Sequence, residues 1–189
     1  MKNKQLVTLL CLGALSALGN VSAAANESPA SSDALRTIPS LDVSRYMGTW
    51  HEIAKYPNWF QKKCAGGTKA DYSLMSDGRV KVINRCRIAD GEMSEAIGVA
   101  RQVGASNSPK LEVRFAPAWL SFLPFVWGDY WVIELDEDYQ LVAVSEPKRE
   151  YLWILSRTPK VAPISYNTLL TKLRQMGFDV HKLEVTQQD

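Results

Sequence analysis

Histidine and cysteine are scarce here: two of the first and three of the second among 189 residues. His51 and His181 fall on separate predicted strands. No Ser-His-Asp order, paired metal-ligand spacing or glycine-rich phosphate loop accompanies them. The composition therefore points to a protein with no catalytic centre, no metal and no cofactor. Long apolar runs are also missing. Past the first two dozen residues nothing reaches the roughly 18 apolar residues of a membrane-spanning helix. Neither an internal repeat nor a low-complexity block is present.

The first 23 residues read as a secretory leader. Lys2 and Lys4 supply the positive start, and 6–18 is an apolar core too short to span a bilayer. Val21-Ser22-Ala23 offers small residues for cleavage, with 23–25 as an alternative. Cys11 is not the acylation site of a lipoprotein on this reading. Leu10 precedes it, and the apolar run continues to Leu18. The expected mature protein is exported, soluble and free of a lipid anchor. Taking Lys2 and Lys4 from the 22 basic residues leaves 20 against 20 acidic. A neutral chain has no electrostatic case for nucleic acid or for strong attraction to an anionic membrane. Cys64 and Cys86 remain, in an oxidising compartment where a disulfide is the default; a reactive thiol or a metal site is the alternative.

Residues 24–39, rich in Ser, Ala, Asn and Pro, are expected to form a mobile lead-in, with one ordered domain over 40–187. That domain begins with a short helical turn at 42–46. Strand-like runs then recur with turn signals between them: 50–56, 68–74, 80–86, 92–102, 111–115, 129–135, 140–144 and 151–156. Thr68, Ala70, Tyr72 and Leu74 alternate with Lys69, Asp71 and Ser73, and Asp77-Gly78 makes the second and third runs a hairpin. The period then changes. Leu169, Leu170, Leu173 and Met176 form a helical stripe over 165–176, with Pro163 before it and Gly177 after it. A short last strand is expected at 181–185. Eight antiparallel runs and one terminal helix fit an all-β fold, an eight-stranded up-and-down β-barrel with a C-terminal α-helix packed outside. A two-sheet sandwich is the competing architecture, which alternation alone does not exclude.

Three elements resemble the lipocalin family. Gly48-Thr49-Trp50 enters the first strand like that family's G-x-W. Gly128-Asp129-Tyr130 opens the sixth strand and is similar to its T-D-Y, with Gly128 in place of threonine. Arg157 follows the eighth strand. The stretches 41–54, 151–159 and 176–179 are similar to the bacterial Blc-type branch, related to apolipoprotein D. The resemblance implies a barrel closed at one end by a signature of Gly48, Trp50, Asp129, Tyr130 and Arg157, with the guanidinium over the indole. It also implies carriage of a fatty acid or lysophospholipid in the service of the cell envelope, in the periplasm or against the outer membrane. Catalysis is not implied. A few family members are enzymes, some using a cavity thiol, and Cys64 is the one residue here that could serve so.

The strand order puts 57–67, 87–91, 116–128 and 145–150 around the open end. Trp59, Phe60, Trp119, Phe122, Phe125 and Trp127 gather there, a patch suited to a ligand mouth, a protein partner or a membrane surface. One face of the strands should line the cavity, through Tyr72, Leu74, Val82, Ala96, Gly98, Ala100, Leu111, Val113 and Phe115. Lys62, Lys63, Lys148 and Arg149 lie near the mouth. A Cys64–Cys86 bridge would clip the first loop over that end. Competing readings are a chaperone-like envelope protein using the apolar rim and a lipid-modifying enzyme, and the sequence fits either a monomer or a homodimer.

Overall fold

The computed structural model describes residues 34–188. The leader over 1–23 and most of the lead-in lie outside the described residues. The element order is α1 (Val43–Tyr46), β1 (Gly48–Lys55), β2 (Cys64–Leu74), β3 (Val80–Ile88), β4 (Met93–Gln102), β5 (Lys110–Arg114), β6 (Gly128–Leu135), β7 (Leu141–Ser145), β8 (Leu152–Ser156), α2 (Pro163–Gln175) and β9 (Glu184–Val185), with 3-10 turns between some of them. Each strand from β2 to β8 pairs antiparallel with the next, β8 pairs β1, and β1 returns to β2. Closure through Gly48↔Tyr72 to His51↔Lys69 makes the sheet a barrel and excludes the sandwich. It also removes the free edges that an open sheet would present.

Two apolar cores lie on opposite sides of this wall. Inside, Leu41, Tyr46, Trp50, Tyr72, Val132, Val142 and Val144 fill the lower barrel. Outside, Ala54, Ile133, Ala143, Leu152 and Ile154 meet Leu169 and Leu173 of α2. A register shift in β1 between Glu52 and Ala54 turns the strand over. Glu52 consequently faces the interior with Trp50, while Ala54 lies under the helix. α2 starts at Pro163, whose missing N–H would have no partner there anyway. It ends in a Schellman turn. Gly177, at φ +85°, donates to the Arg174 carbonyl, and Phe178 N–H reaches back to Leu173 O at 3.0 Å.

Order begins earlier than the composition suggests. Leu35 is buried in the outer core and Ile38 N–H donates to Val132 O, so 34–39 is packed rather than mobile. Two apolar side chains in a polar stretch were enough to anchor it. The last strand is shorter than expected. Asp179 accepts from His181 N–H and turns Val180–Lys182 into a 3-10 helix, leaving only Glu184–Val185 in the sheet.

β2 is longer than its alternation implies. Register shifts on either side of Gly66 carry it back to Cys64, and they swing it away from the upper half of β1. The C-terminal segment fills the resulting seam. Val185 pairs Ala54, Thr186 N–H donates to Ile53 O, and Gly67 N–H donates to Gln187 O. Gln188 Nε2 donates to the carbonyls of Glu52 and Thr68. Among the described residues, no helix is long and apolar enough to cross a membrane.

Candidate functional site

At the closed end Trp50 is fully buried, and its indole N–H donates to Tyr46 O at 2.9 Å. The Arg157 guanidinium sits 4.0 Å above the indole and donates to three carbonyls: Tyr139 at 3.2 Å, Thr49 at 3.1 Å and Arg45 at 2.8 Å. The cation therefore covers the ring while its own donors stay satisfied, the condition under which such a contact is favourable. Gly48 makes the approach feasible. Its φ is +97°, and a Cβ there would lie 3.2 Å from Arg157 Nη1. Gly48, Trp50 and Arg157 thus meet at one place. Tyr130 reaches this group through a 2.7 Å hydrogen bond to Tyr46. Asp129 does not join it. It is exposed, opposite Glu112 where β6 leaves the open-end loop, because alternation turns it away from Tyr130.

Above this floor lies a cavity of about 840 Å³, within the usual range for small-molecule sites. Tyr72, Val82, Ala96, Ala100, Leu111, Val113 and Phe115 are on its wall. Leu74 is not. It is 53% exposed, at the tip of β2 past Tyr72, the last residue that pairs with β1. Gly98 faces inward but is covered. A Cβ there would meet Phe115 Cδ1 and Arg114 O at 2.8 Å. The glycine is what lets the Phe115 ring lie flat against β4. Gly98→Ala should displace that ring and cost about 1–2 kcal/mol by overpacking, read as a shift in urea midpoint.

The mouth is aromatic. Phe60 packs against Trp59, Tyr151 and Trp153, with ring centroids 5.6–6.2 Å apart. Trp119, Phe122 and Phe125 project from the β5–β6 loop, Phe125 being 80% exposed. Trp127 is half-buried, with Arg101 at 4.0 Å and Arg114 at 5.2 Å from its ring centre. Lys63 and Lys148 border the cavity. Arg149 is drawn instead to the end of α2, donating to Met176 O. Cys64 and Cys86 are joined in a disulfide, so Cys64 has no free thiol. His51 and His181 stand on β1 and in the 3-10 turn after α2. No cluster able to hold a metal occurs among the described residues.

One wall residue went unnamed in the sequence reading although its signal was present. Glu52 lies two residues after Trp50, on the same face of β1. It is buried at the cavity wall, and its two oxygens accept from Thr186 Oγ1 and Gln61 Nε2, each at 2.6 Å. Gln61 in turn accepts from Trp153 Nε1 at 2.9 Å. Burial pushes the carboxyl pKa up, against those two hydrogen bonds and the Lys55 charge. The folded protein therefore holds a proton that the unfolded chain has already lost, between the ordinary carboxylate pKa and the raised one. Glu52's contribution to stability is largest on the acid side and declines as pH rises through that window. In Glu52→Gln the amide oxygen can still accept from Gln61, and its nitrogen can donate to Thr186. That variant should lose this slope and gain about 1 kcal/mol near neutral pH, measured by urea unfolding across the window.

A family model described as a lipocalin-like domain matches residues 41–188. Temperature-induced lipocalin-1 of Arabidopsis thaliana is 40% identical over 156 residues, 82% of this chain and 83% of the relative. Outer membrane lipoprotein Blc of Escherichia coli K12 is 38% identical over 161 residues, 85% of this chain and 86% of the relative. Among solved structures, insecticyanin of the tobacco hornworm Manduca sexta superposes with a TM-score of 0.63 at 18% identity, covering 82% of this chain and 85% of that one.

Proposed function

The chain belongs to the lipocalin family, whose members bind small hydrophobic ligands, and from that premise we propose that it carries a single-chain lipid, a fatty acid or lysophospholipid, for the upkeep of a cell envelope. The supporting observation is the apolar cavity, floored by Leu41, Tyr46 and Met47 above the buried Trp50 cluster and open at an aromatic rim. Burying about ten methylenes there would contribute roughly 8 kcal/mol before ordering costs, which is enough for micromolar affinity. The acyl chain enters tail first, leaving its polar head beside Lys63 and Lys148. The residues that would hold it are the apolar wall positions from Tyr72 to Phe115, with Trp59, Phe60 and Trp153 around its upper part. The protein carries and does not transform its ligand.

The relative from Escherichia coli is named an outer membrane lipoprotein. The present chain fits export to the same compartment, on the strength of its leader-like start. We place it in the periplasm, working against a membrane surface. Trp119, Phe122 and Phe125 rest in the headgroup region while the cavity mouth faces the lipid. Behind that loop the Trp127 ring is held by Arg101, which is also paired with Glu112.

Titration with a fluorescent fatty acid, competed by lysophospholipid, tests the carrier reading. One saturable site with quenching of indole emission is the expected result, because Trp59, Trp127 and Trp153 border the cavity. An unchanged indole signal and no displacement would end the reading. Phe122→Ser combined with Phe125→Ser should leave that titration unaltered and cut vesicle co-sedimentation severalfold.

A further inference from the structure

Tyr46, Tyr72 and Tyr130 come from α1, β2 and β6 and converge beside Trp50 at the closed end, all three on the cavity wall. Their hydroxyls form one short chain. Tyr130 OH lies 2.7 Å from Tyr46 OH and 3.1 Å from Tyr72 OH. Among the described residues the three hydroxyls have hydrogen-bond partners only in one another. The proton arithmetic is then closed. Three O–H groups supply three protons, and two O···O contacts use two of them. Whichever way the chain is oriented, one proton is left to donate. Burial holds the group neutral: it drives Tyr46 and Tyr130 well above the ordinary phenol range and Tyr72 up to about 12. The surplus is therefore a hydrogen-bond donor at any physiological pH, not a phenolate.

We infer that this tyrosine triad is a recognition point at the bottom of the cavity, selecting lipids that carry an oxygen acceptor at or near the end that enters first. The inference rests on the carrier reading and narrows its ligand to oxygenated single-chain lipids, bearing a hydroxyl or oxo group far from the head. A methyl terminus driven onto the triad dehydrates the spare O–H and gives it nothing in exchange. A hydroxyl or carbonyl oxygen accepts the proton and completes the chain. Discrimination comes mainly from the penalty on the wrong ligand, because a buried polar group without a partner costs more than a satisfied one gains.

The measurement is a comparison of palmitic acid with ω-hydroxypalmitic acid and with the palmitic acid bearing an oxo group one carbon from its end. All three displace a fluorescent fatty acid from the intact protein. Both oxygenated acids should bind roughly three- to tenfold more tightly than palmitic acid, the span of one neutral hydrogen bond. The oxo acid, which can only accept, should match the hydroxy acid. A variant with Tyr46→Phe, Tyr72→Phe and Tyr130→Phe together removes every hydroxyl while keeping the rings. It should bind palmitic acid at least as well as the parent and show no preference.

Palmitic acid binding the parent as tightly as the oxygenated acids would overturn the inference and leave lipid carriage standing. So would a preference that persists in the triple variant. Absence of binding by all three acids would remove the carrier reading and this inference with it. The comparison within the parent protein needs no variant, so misfolding of the triple variant would not blunt the test.

Discussion

Trp50→Ala is expected to lower folding stability by about 3–5 kcal/mol, read as a large fall in urea midpoint with little change in slope. The side chain is fully buried among Tyr46, Tyr72 and the lower barrel core. The wall around it cannot collapse to fill the gap, because each strand is held at its register by pairs on both sides. Truncation also strips the Tyr46 carbonyl of the indole N–H and leaves the Arg157 guanidinium above a hole. Arg157→Lys should be milder, about 1–2 kcal/mol. A lysine keeps the charge but cannot reach three carbonyls in one plane while covering a ring. If Trp50→Ala cost less than Arg157→Lys, the indole would not be what closes this barrel.

That floor was legible through the resemblance of Gly48, Trp50 and Arg157 to a family signature, and the structure supplies its physical reason. Gly48, Trp50 and Arg157 are fixed by backbone constraints: a left-handed glycine, an aromatic two residues into a strand, and a cation just past the last barrel strand. Strand alternation likewise gave seven wall residues. It failed at Leu74 because period two assigns a face and says nothing of height. Only pairing register shows that Tyr72 is level with Gly48, the first residue of β1, and that Leu74 runs past it. It failed at Gly98 because a residue without a side chain can face a cavity and still be covered by its neighbour.

Glu52 shows the opposite case. Its position was readable two residues after Trp50, but a carboxylate facing an apolar interior runs against the pattern. What makes it tolerable comes from far along the chain: Thr186, brought alongside by the C-terminal segment, and Gln61, from the first loop. The seam that Thr186 occupies exists because β2 shifts register around Gly66. A one-dimensional reading sees the glycines and cannot see that two strands part there. The tyrosine triad was hidden for the same reason. Tyr46 and Tyr130 are 84 positions apart in the chain, and only barrel closure brings their hydroxyls to 2.7 Å.

Replacing Cys64 and Cys86 together by alanine should lower stability by roughly 3 kcal/mol, the loop entropy that a bridge spanning 22 residues removes from the unfolded chain. The double replacement is the informative one, since a single change leaves a reactive thiol. Because the effect lies mainly in the unfolded state, the folded protein should keep its far-ultraviolet spectrum. The urea slope should rise as the unfolded chain expands. A local consequence follows as well. The bridge ties the start of β2 to β3 immediately after the loop that carries Phe60 and Gln61, and that loop packs on Trp153 and Glu52. Without it the mouth loses one fixed side, and fatty-acid affinity should fall severalfold even well below the unfolding midpoint. A double variant with lower stability but the parent's affinity would show that Asn58, Gln61 and their hydrogen bonds hold the loop unaided. The disulfide would then act on the unfolded chain alone.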